Sequence, residues 1–272
     1  YEQDKLSFME EMIEKAEKKD SGWSRDYAVG KWTVTYLKTL EEKNAPEDQL
    51  EEICKKYWNN SGVRRYYIDR YFEKKEYDRV LQVLDESIEL DKAYRGQVLE
   101  YNQKKKEIYR LQGKKSAYIE QLWKLVLEQS AGDLDIYKEL KAQYSEKEWL
   151  IKREELFKKL PANAHIDRLY KEEKLYDRLL AYVLKSSGLY AVQSYENVLK
   201  KEYPKQILSK YQGEVNKMAS CTGNRKHYAD LVALLRRMKR IKGGSEIVET
   251  IVEEWKIKYR NRPAMMDELS KL

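Results

Sequence analysis

Tyr71-Phe72-Glu73-Lys74-Lys75-Glu76-Tyr77-Asp78-Arg79-Val80-Leu81 is met again as Tyr170-Lys171-Glu172-Glu173-Lys174-Leu175-Tyr176-Asp177-Arg178-Leu179-Leu180. Both stretches obey one rule. A short helix ends in a charged turn, and a Tyr opens the next helix with apolar residues three and four positions later. Tyr118 with Gln121-Leu122 and Tyr228 with Leu231-Val232 repeat the second half. From Tyr77 the four tyrosines are separated by 41, 58 and 52 residues, periods typical of helical repeats but not constant. A Tyr at such a place packs its ring between helices and keeps its hydroxyl near water.

Outward from these stretches, apolar residues recur at helical spacing along the whole chain. Leu6, Met9, Ile13 and Ala16 make one stripe over 4–19. Ser24 is expected to cap a helix over 25–43 that buries Tyr27, Trp32, Tyr36, Leu37 and Leu40. Pro46 suits a helix start, where its missing N–H costs nothing. Further helices are expected over 63–75, 76–90, 92–112, 115–130, 133–144, 146–159, 164–172, 174–186, 189–202, 204–219, 225–241, 246–260 and 263–272. Ser145 with Glu148 fits a capping box, and Ser245 marks another start. The 11 Gly and 4 Pro fall mostly between these stretches and are too few for an all-β domain of 272 residues. The expected fold is therefore all-α, with antiparallel helical hairpins stacked as a tetratricopeptide-like right-handed solenoid over 61–272. A helical cap or subdomain is expected over 1–60.

The tail carries more particular stretches: Tyr203-Pro204-Lys205-Gln206-Ile207-Leu208-Ser209-Lys210-Tyr211, then Arg225-Lys226-His227-Tyr228-Ala229-Asp230-Leu231-Val232, then Trp255, then Arg262-Pro263-Ala264-Met265-Met266-Asp267-Glu268-Leu269. With Glu148-Trp149 through Leu160 and Ile166 through Tyr176, these resemble the C-terminal helical region of bacterial SWIM zinc-finger proteins. The likeness covers roughly 130–272, more loosely 61–130, and rests on packing patterns. It implies a helical-repeat region of a larger bacterial protein. The zinc motif of that family, two cysteines one residue apart followed by a Cys-x-His pair, is absent. No metal role is therefore carried onto any residue.

Bulk properties bound the function. Mean hydropathy is −0.88, and no apolar run approaches the ~18 residues of a membrane span. Cys54 and Cys221 are too few and too distant in sequence for a disulfide framework, which points to a reducing, cytoplasmic setting. The opening residues form no apolar signal segment, and a chain opening on Tyr1 reads as a fragment. Phosphate loops, the His-Glu-x-x-His zinc helix and the Gly-x-Ser-x-Gly elbow are all missing. Cys221 and His227, six residues apart, supply two metal ligands at most. Neither a catalytic residue, a metal site nor a cofactor is assigned.

Charge is the remaining signal. The net charge is +7, and residues 201–272 carry all of it, with 16 basic and 9 acidic side chains. Arg225 and Lys226 begin one expected helix, and Arg236, Arg237, Lys239, Arg240 and Lys242 end it. Positions 236, 237 and 240 fall on one helical face, suited to bidentate recognition of an anion. A plainer reading is a solvated face favoured by the helix dipole, worth ~0.3–1 kcal/mol per cation. A second basic cluster is Lys104-Lys105-Lys106 with Arg110, Lys114 and Lys115. The expected role is a non-catalytic protein-interaction scaffold. Alternatives are a nucleic-acid-binding module using the basic quarter, and an enzyme with opposed carboxylates between helices.

Overall fold

The computed structural model describes residues 2–20 and 22–272, with side chains from residue 5 onward. It is all-α: sixteen helices and no strand among the described residues. No helix is long and apolar enough to cross a membrane. Two compact units divide between His165 and Ile166, and each is taken by itself.

The first unit holds α1 (Glu2–Glu17), α2 (Trp23–Glu42), α3 (Glu47–Lys56), α4 (Ser61–Glu73), α5 (Tyr77–Leu90), α6 (Arg95–Leu111), α7 (Lys115–Lys124), α8 (Leu134–Lys141) and α9 (Glu146–Lys159). The second holds α10 (Ile166–Glu172), α11 (Tyr176–Lys185), α12 (Tyr190–Leu199), α13 (Pro204–Ser220), α14 (Arg225–Lys239), α15 (Gly244–Lys258) and α16 (Pro263–Leu269). Within each unit, helices pack chiefly on the next helix or the next but one along the chain.

The two stretches that decide the fold end their first helix in the same way. Lys75 and Lys174 both take the left-handed conformation, with φ of 61° and 55°. The amide of the following residue closes a six-residue loop back to the tyrosine: Glu76 N to Tyr71 O and Leu175 N to Tyr170 O, each 2.9 Å. This is the hydrogen-bond pattern that satisfies the last carbonyls of a helix before a sharp reversal of its course. Gly113, at φ 67°, makes a third copy with Lys114 N on Tyr109 O at 3.0 Å. The residues that then cap α5, α7 and α11 share nearly one conformation: Glu76 (−80°, 59°), Lys114 (−75°, 70°) and Leu175 (−81°, 66°).

The repeat tyrosines behave as ring-in, hydroxyl-out residues to different degrees. Tyr118 and Tyr228 are buried, whereas Tyr77 and Tyr176 are half-buried at the margins of their cores. The Tyr118 hydroxyl donates to Glu139, and the Tyr228 hydroxyl accepts from Gly223 N.

Several local expectations give way. Ser24 does not cap α2: the helix starts at Trp23, and Gly22 in the capping position makes no side-chain bond. The buried stripe of α2 is Val29, Thr33, Leu37 and Leu40, one residue per turn, so Tyr27 falls on the opposite side. Tyr27 is exposed and stacks on Trp23 at 5.4 Å. Ser245 lies inside α15 because Gly243, at φ 82°, takes the capping position. Gly244 passes so close to the Met238 carbonyl that a Cβ would stand 1.9 Å from its oxygen. The expected 115–130 helix changes pitch at Leu125 into a five-residue π-helical turn, Leu125–Gln129. Ser145 and Glu148 do form the capping box that opens α9.

Helices α2 and α3, within the cap or subdomain expected over 1–60, share a core with α4. Leu37 and Leu40 of α2, Leu50 and Cys54 of α3, and Val63 and Tyr66 of α4 form one cluster. Asn60 caps α4, and its amide donates to Asp26 O in α2 at 2.6 Å.

Polar anchors tie these helices together. Arg64 of α4 has no exposed surface. Its Nη2 donates to both Asp91 oxygens at 2.6 Å, its Nη1 to Trp58 O at 2.5 Å and its Nε to Ser87 Oγ at 3.2 Å. Asp91 also accepts from the Tyr101 hydroxyl at 2.7 Å. Burial first, and then that carboxylate, push the Tyr101 hydroxyl up to about 12. In the second unit Arg262, stacked on Tyr259, donates to the carbonyls of Ala219, Ser220 and Cys221 and so closes the end of α13.

Two measurements check this account. Arg64→Ala strands the Asp91 charge in the core, so it should cost about 3–5 kcal/mol in urea unfolding. Lys75→Gly and Lys174→Gly remove the steric penalty of a left-handed side chain. Each should raise stability by about 0.5–1 kcal/mol, despite the added freedom of the unfolded chain.

Candidate anion-binding cleft

Two helices of the second unit build the cleft. On α12, Val192, Tyr195 and Leu199 point into the core, and Glu196 falls within the same stripe. On α14, Leu231, Val232, Leu235 and Met238 are buried, which turns Arg236 and Arg240 outward and leaves Arg237 half-buried at the margin. Asn197, Lys200 and Ala233 complete the walls of a cleft of about 400 Å³. Lys200 and Arg240 are the capping residues that follow α12 and α14, where exposed carbonyls favour cations.

Glu196 is the carboxylate of the cleft and is only 4% exposed. Its Oε2 accepts from Arg237 Nε at 2.5 Å and from the Tyr211 hydroxyl at 2.7 Å, and its Oε1 from Lys200 Nζ at 3.4 Å. Burial alone would raise its pKa. The hydrogen bonds from Arg237 and Tyr211 outweigh burial and hold it below the usual carboxylate range. Arg237 is fixed a second time, by Nη2 on Gln193 O at 3.1 Å. Arg236 spends one nitrogen on Lys271 O, at 2.5 Å. The Arg240 side chain is exposed and makes neither a hydrogen bond nor an ion pair with another described residue. Four cations thus face one acid already held by two of them.

The seven basic residues singled out from the sequence separate accordingly. Arg236, Arg237 and Arg240 come together. Arg225 is engaged elsewhere, with Asp267 at 2.7 Å and Glu268 at 3.7 Å. Lys226, Lys239 and Lys242 are exposed and do not line the cleft. Lys200, Asn197 and Glu196 were not found from the sequence. A signal existed for Glu196, an acid standing between Val192 and Leu199 on an otherwise apolar stripe.

The second basic cluster is largely spent inside its own unit. Lys104 lies over the Phe72 ring at 3.5 Å and pairs with Glu107. Lys105 pairs with Asp85 and Lys106 with Glu139, both at 2.5 Å, and Lys114 with Asp78 at 3.2 Å. Of that cluster, Arg110 and Lys115 form no ion pair with another described residue. A cleft of about 410 Å³ beside the π-helical turn is lined by Tyr109, Trp123 and Leu127, with Lys105 and Lys124 balanced by Glu120 and Glu128. It therefore has no net charge preference.

Two carboxylates share a donor where the Tyr71 hydroxyl meets Glu47 at 2.5 Å and Glu51 at 2.8 Å. Lys74 and then Tyr71 lower Glu47, while Tyr71 and then Arg79 lower Glu51. A general acid needs the opposite shift. Among the described residues, no three His, Cys, Asp or Glu side chains converge as a metal would require. His227 Nε2 lies 3.1 Å from Met218 O, while Cys221 is exposed.

No family model, curated protein or solved structure matches the chain.

Glu196 gives a pH test. A carboxyl whose folded pKa is depressed stabilises the fold above its unfolded value, and that contribution fades as pH falls through the folded pKa. Glu196→Gln should therefore cost about 1–3 kcal/mol at neutral pH. The deficit relative to the parent chain should shrink below about pH 4.3, the ordinary Glu value, in denaturant titrations across pH.

Proposed function

We propose that the chain is a non-catalytic, helical-repeat scaffold that binds an acidic segment of a partner protein through the α12–α14 cleft. The observation that carries this reading is the mismatch of charge in the cleft. Arg236, Arg237, Arg240 and Lys200 face a single acid, and Arg240 has no internal partner. A side chain with five N–H donors and no acceptor inside the protein suits an external anion. The recurring left-handed turns and the packing of helices on near neighbours support stacked hairpins within each unit, the arrangement of a tetratricopeptide-like right-handed solenoid. The likeness to SWIM zinc-finger C-terminal regions belongs to this reading and rests on its sequence stretches alone. Cys54 and Cys221, both unpaired, fit a reducing cytoplasmic setting.

Nucleic acid is the second reading. Exposed Lys226, Lys239 and Lys242 favour it, since they add to the charge in and just after α14 without an ion pair to another described residue. The lining of the cleft does not favour it, because no aromatic side chain is there to stack a base.

Fluorescence polarisation separates the two. A labelled Asp/Glu-rich peptide should bind more tightly than a single-stranded oligonucleotide of matched charge. Binding should weaken with salt and fall by about tenfold or more, about 1.4 kcal/mol, in Arg236→Glu/Arg240→Glu. Tighter binding of the oligonucleotide, with loss in Lys226→Glu/Lys242→Glu, would favour the second reading. Binding of neither overturns the first.

A further inference from the structure

Arg236, in the last turn of α14, and Arg240, the residue that caps it, are one helical turn apart, and Arg237 lies beside them toward α12. Their donors differ in what they have left to give. Arg237 is held at Nε by Glu196 and at Nη2 by Gln193 O, so its Nη1 edge is fixed in place and free. Arg236 keeps Nε and Nη1, and Arg240 keeps its whole guanidinium. Lys200 uses one weak contact, 3.4 Å, and the Asn197 side-chain amide makes no hydrogen bond to another described residue. The single acid, Glu196, is buried behind this array with both oxygens taken, so it neutralises Arg237 and leaves the outer cations uncompensated.

A carboxylate offers two oxygens and one charge to such an array. It can satisfy one guanidinium fork fully, and the other arginines then face no acceptor. A phosphomonoester offers three terminal oxygens and a charge of about −1.5 to −2 at neutral pH. Only the second matches three guanidinium groups and a Lys around one small cleft. A nucleic-acid strand would also bring phosphates, but diesters carry one charge each, and the cleft lacks the ring that would take a base.

We infer that the α12–α14 cleft recognises a phosphorylated side chain, a phosphoserine or phosphothreonine, on the partner protein. This rests on the acidic-partner reading and narrows it. Arg240 and Arg236 hold the phosphoryl oxygens, Lys200 and Asn197 reach it from α12, and Glu196 acts as a positioning residue that fixes Arg237.

The test is isothermal titration calorimetry of the intact chain with four probes. These are an acidic phosphoserine peptide, the same peptide with Glu at that serine, inorganic phosphate, and a single-stranded DNA of equal charge. The phosphopeptide should bind at least about tenfold more tightly than the Glu peptide, and more tightly than either other probe. Arg240→Gln should remove most of that preference with little change in melting temperature, since the Arg240 side chain is exposed and makes no hydrogen bond or ion pair with a described residue. Lys239→Gln, exposed on the same helix but outside the cleft, should leave the preference intact. Equal binding of the phospho and Glu peptides overturns the phosphoryl inference and spares the acidic-partner reading, whereas binding of neither peptide overturns both. Equal loss in Lys239→Gln and Arg240→Gln overturns the cleft as the site. Tighter binding of phosphate alone or of DNA overturns a peptide-borne ligand.

Discussion

A chain that is 37% charged cannot keep its ions out of the spaces between its helices, so the ions that enter must be met there by counter-ions or hydrogen-bond donors. The fold is organised by that requirement. Arg64 is the extreme case, a guanidinium without exposed surface whose donors are taken by Asp91, Ser87 and Trp58 O. Around Tyr71 the same requirement gathers Glu47, Glu51, Arg70, Lys74 and Arg79 into one network. In the second unit it sets Glu196 against Arg237 and Tyr211. Charges consumed in this way are architecture. Charges that escape it, above all Arg240, are what the molecule has available for other molecules.

That distinction separates what can be read from the sequence from what cannot. Helix positions were legible because periodicity is local: α9 occupies its expected span and opens on its expected capping box. The paired turns after Tyr71 and Tyr170 were also legible, because the same residue types recur around Lys75 and Lys174. The third turn, after Tyr109, has Gly113 in the left-handed place and lacks the Tyr-Asp-Arg sequence; Tyr118 hints at its kinship but stands three residues deeper in its helix than Tyr77 and Tyr176 in theirs, so the shared turn itself shows only in backbone geometry. The π-helical turn at Leu125, which buries Leu125 and Val126, leaves no mark in the apolar pattern.

The candidate site was half legible for the same reason. Spacing alone groups Arg236, Arg237 and Arg240, because they share one helix. Spacing is silent on which cations are already engaged by acids far along the chain. Lys106 with Glu139 and Arg225 with Asp267 are such pairs, and their separation in sequence hides them. Lys200 joins the cleft through tertiary packing, and nothing in its own neighbourhood distinguishes it from Lys201.

The junction made by Arg262 carries a consequence for how the second unit is assembled. Its guanidinium reaches carbonyls 41 to 43 residues earlier in the chain, past the whole of α14 and α15. During synthesis α13 emerges first, and the carbonyls of Ala219, Ser220 and Cys221 must wait for this guanidinium until two further helices have been made. Closure of its end is thus coupled to arrival of Arg262 and α16, so that the two ends of this four-helix stretch are completed together rather than helix by helix.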